Sequence, residues 1–276
     1  MQGRKGGSST STAVWKPGRK RLTGWVKYTV SLLSLAFLFY SIYHLDLHLD
    51  RLLNMYGPLA KMFSQLLFPP EMEYVQRIGV LKALLETFQI ATLASVIGTL
   101  LCIPLAWFAA YNMTPSRQIL FPLGRFAIGL ARSINILIWA ILLTHILGFG
   151  PLPGTLALMF LTIGFAGKLF SEEIEAIRPG PVEAMRATGA GMIQVMYYGV
   201  LPQVRVAWIG ITIYNWDSTF RAATIVGYVG AGGIGAYLRE TIGFLEYSKT
   251  GAIIITIILL VIVSEAISAY VRDKLY

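Results

Sequence analysis

Thr250–Val271 reads TGAIIITIILLVIVSEAISAYV, an apolar run with a single charged residue, Glu265. The hydrocarbon core of a bilayer is about 30 Å thick, so a helix crosses it with about 20 mostly apolar residues. Nothing in water needs a run of that length and greasiness. Toward the N-terminus, comparable stretches are Val204–Val226, Leu152–Phe170, part of Ile119–Phe149, Ala83–Tyr111 and Val26–Leu45. Together they predict an all-α integral membrane chain with about six transmembrane helices. The third is interrupted by Arg125 and Arg132. Its dry part is expected over Ser133–Leu147, with Gln118–Ala131 near the interface.

Composition agrees. Of 276 residues, 55% are hydrophobic and 13% charged, against roughly 25% charged in a soluble domain. This excludes a soluble enzyme, a disordered chain and a disulfide-rich secreted module. The net charge is +9, and its placement is lopsided. Arg4, Lys5, Lys16, Arg19, Lys20, Arg21 and Lys27 fall within the first 27 residues, which hold no acid. A nucleic-acid protein spreads such charge along a folded face, so no nucleic-acid partner is expected. Residues 1–24 read as a disordered basic tail, 25–82 as the first span plus an external segment, and 83–276 as the membrane core. Under the positive-inside rule, 13 of the 23 basic residues fall on one side if both termini are cytoplasmic. The first apolar run is longer than the roughly 7–15 residues of a signal peptide and is read as retained.

Cys102 is alone and sits in an apolar run, where a thiol acts as a small hydrophobe. His44 and His48, with Asp46 and Asp50 beside them, have a spacing that can grip a metal. No further His or Cys completes a tetrahedron, so no metal site is assigned. Gly230-Ala231-Gly232-Gly233-Ile234-Gly235 matches G-x-G-x-x-G formally, but no strand precedes it and no acid follows about 20 residues on. A tight turn leaving the fifth span is the better reading. No Walker A motif occurs, so the chain is not expected to hydrolyse ATP or to bind a cofactor itself.

The segment 171–203 between the fourth and fifth spans is hydrophilic and too long for a simple turn. Pro179 and Pro181 suit a helix start, which places Glu183 in a first turn, near the positive end of the helix dipole. Ala184, Ala187 and Thr188 form a small-residue face, Gly189 permits a left-handed helix end, and Leu201-Pro202 opens the next span. Read as residues alone, this is a loop helix that either stabilises the membrane domain or meets a partner.

The spacing Glu183-Ala184-Met185, three residues, Gly189, nine residues, Gly199-Val200-Leu201-Pro202 resembles the Glu-Ala-Ala…Gly…Ile-x-Leu-Pro signature of membrane subunits of ATP-driven importers. Met185 and Gly199 depart from it. Further segments resemble the permeases of phosphonate- and phosphite-class ABC importers: Phe68-Pro69-Pro70, Gly167-Lys168-Leu169-Phe170, Ile177–Ala184, Tyr198–Gln203 and Val229–Gly235. The resemblance implies a type I importer permease fold with a cytoplasmic coupling helix in 171–203. It implies ATPase-coupling roles for Glu183, Ala184, Arg186, Gly189, Leu201 and Pro202. It further implies a cytoplasmic ATPase dimer carrying ATP and Mg, an external solute-binding protein and a bacterial inner-membrane location. The subunit itself would be non-catalytic, importing phosphonate, phosphite or a related phosphorus oxyanion by alternating access. The alternative is a related importer permease for an amino acid or metal chelate. One six-span subunit is half a pathway, and a second copy is the simplest completion.

Charges within spans are expensive and usually face a partner or a watery path. Asp217 and Arg221 lie i,i+4 and can pair, either to neutralise one another for insertion or to form part of a gate. Arg132, with Ser133 and Asn135, is the second pathway candidate, because weak fixed positive character suits a passing anion. Lys168 is read as snorkelling from the end of the fourth span.

Overall fold

The structure, a computed structural model, describes residues 24–45, 54–61, 63–64 and 69–274. The basic tail, His48 with its neighbouring aspartates, and Phe68 lie outside these. The chain divides into two compact units, residues 1–60 and 61–276. In the first, α1 (Gly24–His44) is a helix long and apolar enough to cross a membrane. It is followed by the short α2 (Tyr56–Lys61).

The second unit is entirely helical among the described residues. Its elements are α3 (Met72–Val75), α4 (Ile78–Ala109), α5 (Leu120–Ser133), α6 (Ile136–Leu147), α7 (Pro151–Glu175) and α8 (Pro179–Ala187). Then come α9 (Met192–Gln194), a π-helix over Val195–Val200, α10 (Leu201–Tyr228), α11 (Ile234–Gly243) and α12 (Tyr247–Asp273). The stretch 61–82, read from sequence with the first span, groups with this unit. Tyr74 of α3 is buried in a cluster with Ile234 and Ile253, and the Glu71 N–H donates to the Ser248 carbonyl at 3.2 Å.

The frame is α4 packed along α7, with α10 against both. Lipid tails are as apolar as leucine, so helices associate by close backbone approach and polar contacts rather than by hydrophobic exclusion. The buried face of α4 shows this: Ala83, Ala91, Ala94, Gly98, Cys102, Ala106 and Ala109. Polar side chains tie the three helices together. The Asn215 amide nitrogen on α10 donates to Ser95 on α4 at 3.3 Å and to Thr162 on α7 at 3.1 Å. Trp216 Nε1 donates to Thr92 at 3.3 Å. Each such bond contributes about 0.6 kcal/mol between membrane helices.

Among the described residues, four helices are long and apolar enough to span a bilayer: α1, α4, α7 and α12. The third expected span is not a single rod. It is two helices, α5 and α6, meeting at 90° across Ile134-Asn135, and as one broken span it raises the number to five. At 28 residues, α10 extends about 42 Å, ample to cross. Arg205, Asn215, Asp217 and Arg221 leave it short of the apolarity of the others.

At the end of the bundle away from 171–203, the glycine run is a tight turn. Gly230, Gly232 and Gly233 all have positive φ, and the turn follows α10 rather than a strand. It lies on α4 and the start of α7: the Ile234 N–H donates to Thr87 Oγ1 at 2.8 Å, and the Gly150 N–H to the Gly230 carbonyl at 3.2 Å. A Cβ on Gly233 would meet Thr87 Oγ1 at 2.5 Å. The dinucleotide-type spacing is therefore steric in origin.

Candidate functional site

At the other end, the 171–203 segment forms a compact platform. Proline at the first position starts α8, and Gly189, at φ 78°, follows its last turn. Because α8 begins at Pro179, Glu183 stands in its second turn rather than the first, out of reach of the dipole argument. Val182 is 6% exposed and packs with Phe170, Ile174, Val195, Val200 and Trp208, while Met185 packs against the same cluster. Away from that cluster α8 presents Glu183 and Ala184 to the outside, while Arg186, also exposed, stands one turn from Val182 and reaches back to Met113 Sδ at 3.9 Å. Leu201 is half-buried and Pro202 exposed at the base of α10. The six residues assigned to coupling thus occupy one platform around α8 and the foot of α10.

Proline explains the π-helix that precedes α10. Pro202 has no N–H, and its ring would press on the Tyr198 carbonyl four residues back. The turn at Val195–Val200 therefore widens to a π register.

Three interactions that sequence reasoning missed hold the platform. Arg125 donates to Glu175 at 2.6 Å and to the Ala109 carbonyl at 2.9 Å, while Glu175 also accepts from the Tyr111 N–H at 2.9 Å. The arginine that breaks the third apolar run is thereby bound to the end of α7. Lys168 pairs with Glu172 at 3.4 Å, one turn on, instead of merely snorkelling. Gln203 bridges α8 and α10 through the backbone of Arg178. Only Lys168–Glu172, at i,i+4, has a local signal; the other partners are far apart in the chain or belong to the backbone.

The second set lies within the bundle. Asp217 is 6% exposed. One carboxylate oxygen accepts from Arg221 Nη1 at 2.7 Å and the other from Ser264 Oγ of α12 at 3.1 Å. Asp217 is therefore turned into the α10–α12 contact. Arg221 has a side chain 42% exposed, and lies on the outward stripe Tyr214, Ser218, Arg221 and Ile225 of α10.

Arg132 ends α5 at the 90° break, and its backbone lies against Gly164, midway along α7; a Cβ there would meet the Arg132 N atom at 2.9 Å. Its guanidinium is exposed, with no partner among the described residues. Ser133 donates to the Leu130 carbonyl at 3.1 Å, and Asn135 caps α6 by accepting from the Leu137 N–H at 2.9 Å. Both polar side chains thus serve the break itself. One turn into α6, Trp139 stacks on Phe160 at 4.4 Å, and its buried Nε1 has no acceptor. Glu265, the single charge of the last apolar run, is exposed on α12 beside Ser264. The structure brings Asp217 to Arg221 and Ser264, and Arg132 to the start of α6; it draws no contact between the two groups.

Residues 102–275 match the family described as binding-protein-dependent transport system inner membrane component. The chain is 36% identical over 218 residues to the phosphate-import permease protein PhnE of Mycolicibacterium smegmatis, spanning 79% of this chain but about 40% of that relative's length. It is 33% identical over 215 residues to the putative phosphite transport system permease protein HtxC of Stutzerimonas stutzeri, covering 78% of this chain and 75% of the relative. The fold is similar to that of the MetNI methionine ABC transporter in inward-facing form, with TM-score 0.61, 18% identity, and coverage of 71% of this chain and 95% of that one. The family match and these likenesses agree: the chain belongs to the binding-protein-dependent transport inner membrane components, as a permease subunit of the phosphonate and phosphite type.

Proposed function

We propose that the chain forms half of a transmembrane pathway that imports phosphonate, phosphite or a related phosphorus oxyanion by ATP-driven alternating access. The observation that carries this reading is α8: a short helix anchored by Val182 and Met185 while Glu183, Ala184 and Arg186 stay exposed. A loop helix serving only the membrane domain would bury more than one face. The exposed face is the docking surface for a cytoplasmic ATPase dimer, which holds the ATP and Mg. An external solute-binding protein delivers the anion at the glycine-turn end. Both termini are cytoplasmic, consistent with the basic tail, and a second copy completes the pathway.

Within the pathway, the break between α5 and α6 supplies positive character without a deep well. Discontinuous membrane helices direct half-helix N-termini toward anionic groups, and α6 starts beside the unpartnered Arg132. Arg221, tethered to Asp217, is a second cation whose charge is half-neutralised, so that an anion is held weakly enough to be released. Fixed positive character of this kind suits a small oxyanion.

The test is reconstitution of the chain with its ATPase and binding protein in liposomes, with uptake of labelled phosphate, phosphite and methylphosphonate measured separately. ATP-dependent uptake of one of these is expected. Uptake of none, with an amino acid or metal chelate carried instead, would overturn the substrate assignment. ATP hydrolysis by the purified chain alone would overturn the permease reading.

A further inference from the structure

We propose that Gln203 is a positioning residue that locks the coupling helix α8 to the foot of α10, so that the two move as one lever. The proposal rests on the coupling reading of α8 and goes beyond it by naming how a displacement leaves that helix. Gln203 lies in the first turn of α10, three residues past the π-helix. Its side-chain oxygen accepts from the Arg178 N–H at 3.1 Å, and its amide nitrogen donates to the Arg178 carbonyl at 3.4 Å and to the Gly199 carbonyl at 2.7 Å. One side chain therefore holds both backbone polar groups of the residue that begins α8, and a carbonyl of the π-helix as well.

The alternative route from α8 to α10 runs through Thr188, Gly189, α9 and the π-helix. That route contains a positive-φ glycine and a widened helical register, and both absorb displacement rather than transmit it. Packing of Val182 against Val200 and Trp208 also joins α8 to α10, but apolar contact is not directional and lets the two surfaces slide. The Gln203 amide spans the joint directly. From there α10 is unbroken α-helix to Asp217 and Arg221, about 21 and 27 Å further on. A pull on α8 thus reaches the intramembrane ion pair through one rigid element.

Side-chain chemistry makes the claim specific. Methionine matches glutamine in length and loses all three bonds. Glutamate keeps the acceptor for the Arg178 N–H and loses both donors, facing two carbonyls with a carboxylate. Three variants are compared in the reconstituted complex: Gln203→Met, Gln203→Glu and, on the docking face, Glu183→Lys. Uptake of labelled phosphate, phosphite and methylphosphonate is measured against ATP hydrolysed, together with ATPase subunit retained on the purified chain.

With Gln203→Met, the ATPase subunit is retained and at least about half its hydrolysis persists, while transport per ATP falls about tenfold, equivalent to about 1.4 kcal/mol. Gln203→Glu falls between wild type and Gln203→Met. A second reading needs no substrate. Spin labels at Thr188→Cys and Arg205→Cys give a narrow distance distribution that is the same with and without ATP, and it broadens in Gln203→Met. Unchanged transport per ATP in Gln203→Met would overturn the proposal. So would uptake and hydrolysis falling together in step with lost protein, or a Thr188–Arg205 distance that shifts with ATP in the native chain. If Glu183→Lys transports normally and keeps its ATPase, the coupling reading itself fails, an outcome distinct from each of these.

Discussion

Asp217 and Arg221 show what a pair of residues can say before and after folding. Their i,i+4 spacing makes the ion pair legible in the sequence, but not the direction it faces. The third partner, Ser264, lies 47 positions away on α12, and it turns Asp217 into a helix contact while Arg221 stays on the outward stripe. The two therefore separate by mutation. Asp217→Asn strands the half-exposed Arg221 and weakens the bond from Ser264; it is expected to lower the thermal midpoint in detergent, at a cost of about 1–3 kcal/mol. Arg221→Ala is expected to reduce uptake about tenfold while membrane abundance stays within about twofold. Abundance collapsing with uptake per molecule unchanged would assign Arg221 to insertion alone. Arg132→Ala, at a cation with no partner to lose, is expected to cut uptake with no change in thermal midpoint; a lowered midpoint with normal uptake would count against its place in the pathway.

At the scale of elements, α8 and the glycine turn carry opposite lessons. The helical segment in 171–203 was readable because prolines, small residues and Gly189 stand in helical order, and the structure places α8 where they point. Of the two prolines that suit a helix start, Pro179 opens α8, so Glu183 falls in the second turn and loses the dipole role. Its charge remains exposed, and under the proposed coupling role Glu183→Lys is expected to abolish ATP-dependent uptake with the chain still inserted; normal uptake would remove the assignment. Val182→Asp acts on the other face, placing a carboxylate in the cluster around Phe170 and Trp208. It is expected to lose the platform, seen as protease cleavage within 176–200 at concentrations that spare the native chain. In the glycine turn, Gly233 has φ 74° and ψ −166°, a region that only glycine enters cheaply, so Gly233→Ala costs at least about 1–3 kcal/mol of backbone strain besides the contact with Thr87. A thermal midpoint equal to wild type would refute the packing reading of that motif.

For the whole molecule, the sequence alone determined that the chain is helical and lives in a bilayer. Backbone groups in hydrocarbon must be satisfied within the segment, and long apolar runs at 13% charge leave no other solution. It also determined where the hydrophilic loop lies, and through the spacing of Glu183, Gly189 and Leu201-Pro202 it carried the family. These are local or compositional signals, and they survive in one dimension. Only the tertiary structure decided that the third span breaks at 90°, since Arg125 is drawn to Glu175 on another helix and Arg132 to the back of Gly164. It alone turned Asp217 toward Ser264, left Arg132 and Glu265 without a partner among the described residues, and set Gln203 across the joint between α8 and α10. Each of those depends on which helix faces which. In a membrane that is settled by small-residue packing and by single hydrogen bonds between residues tens to more than a hundred positions apart, and no periodicity along the chain records it.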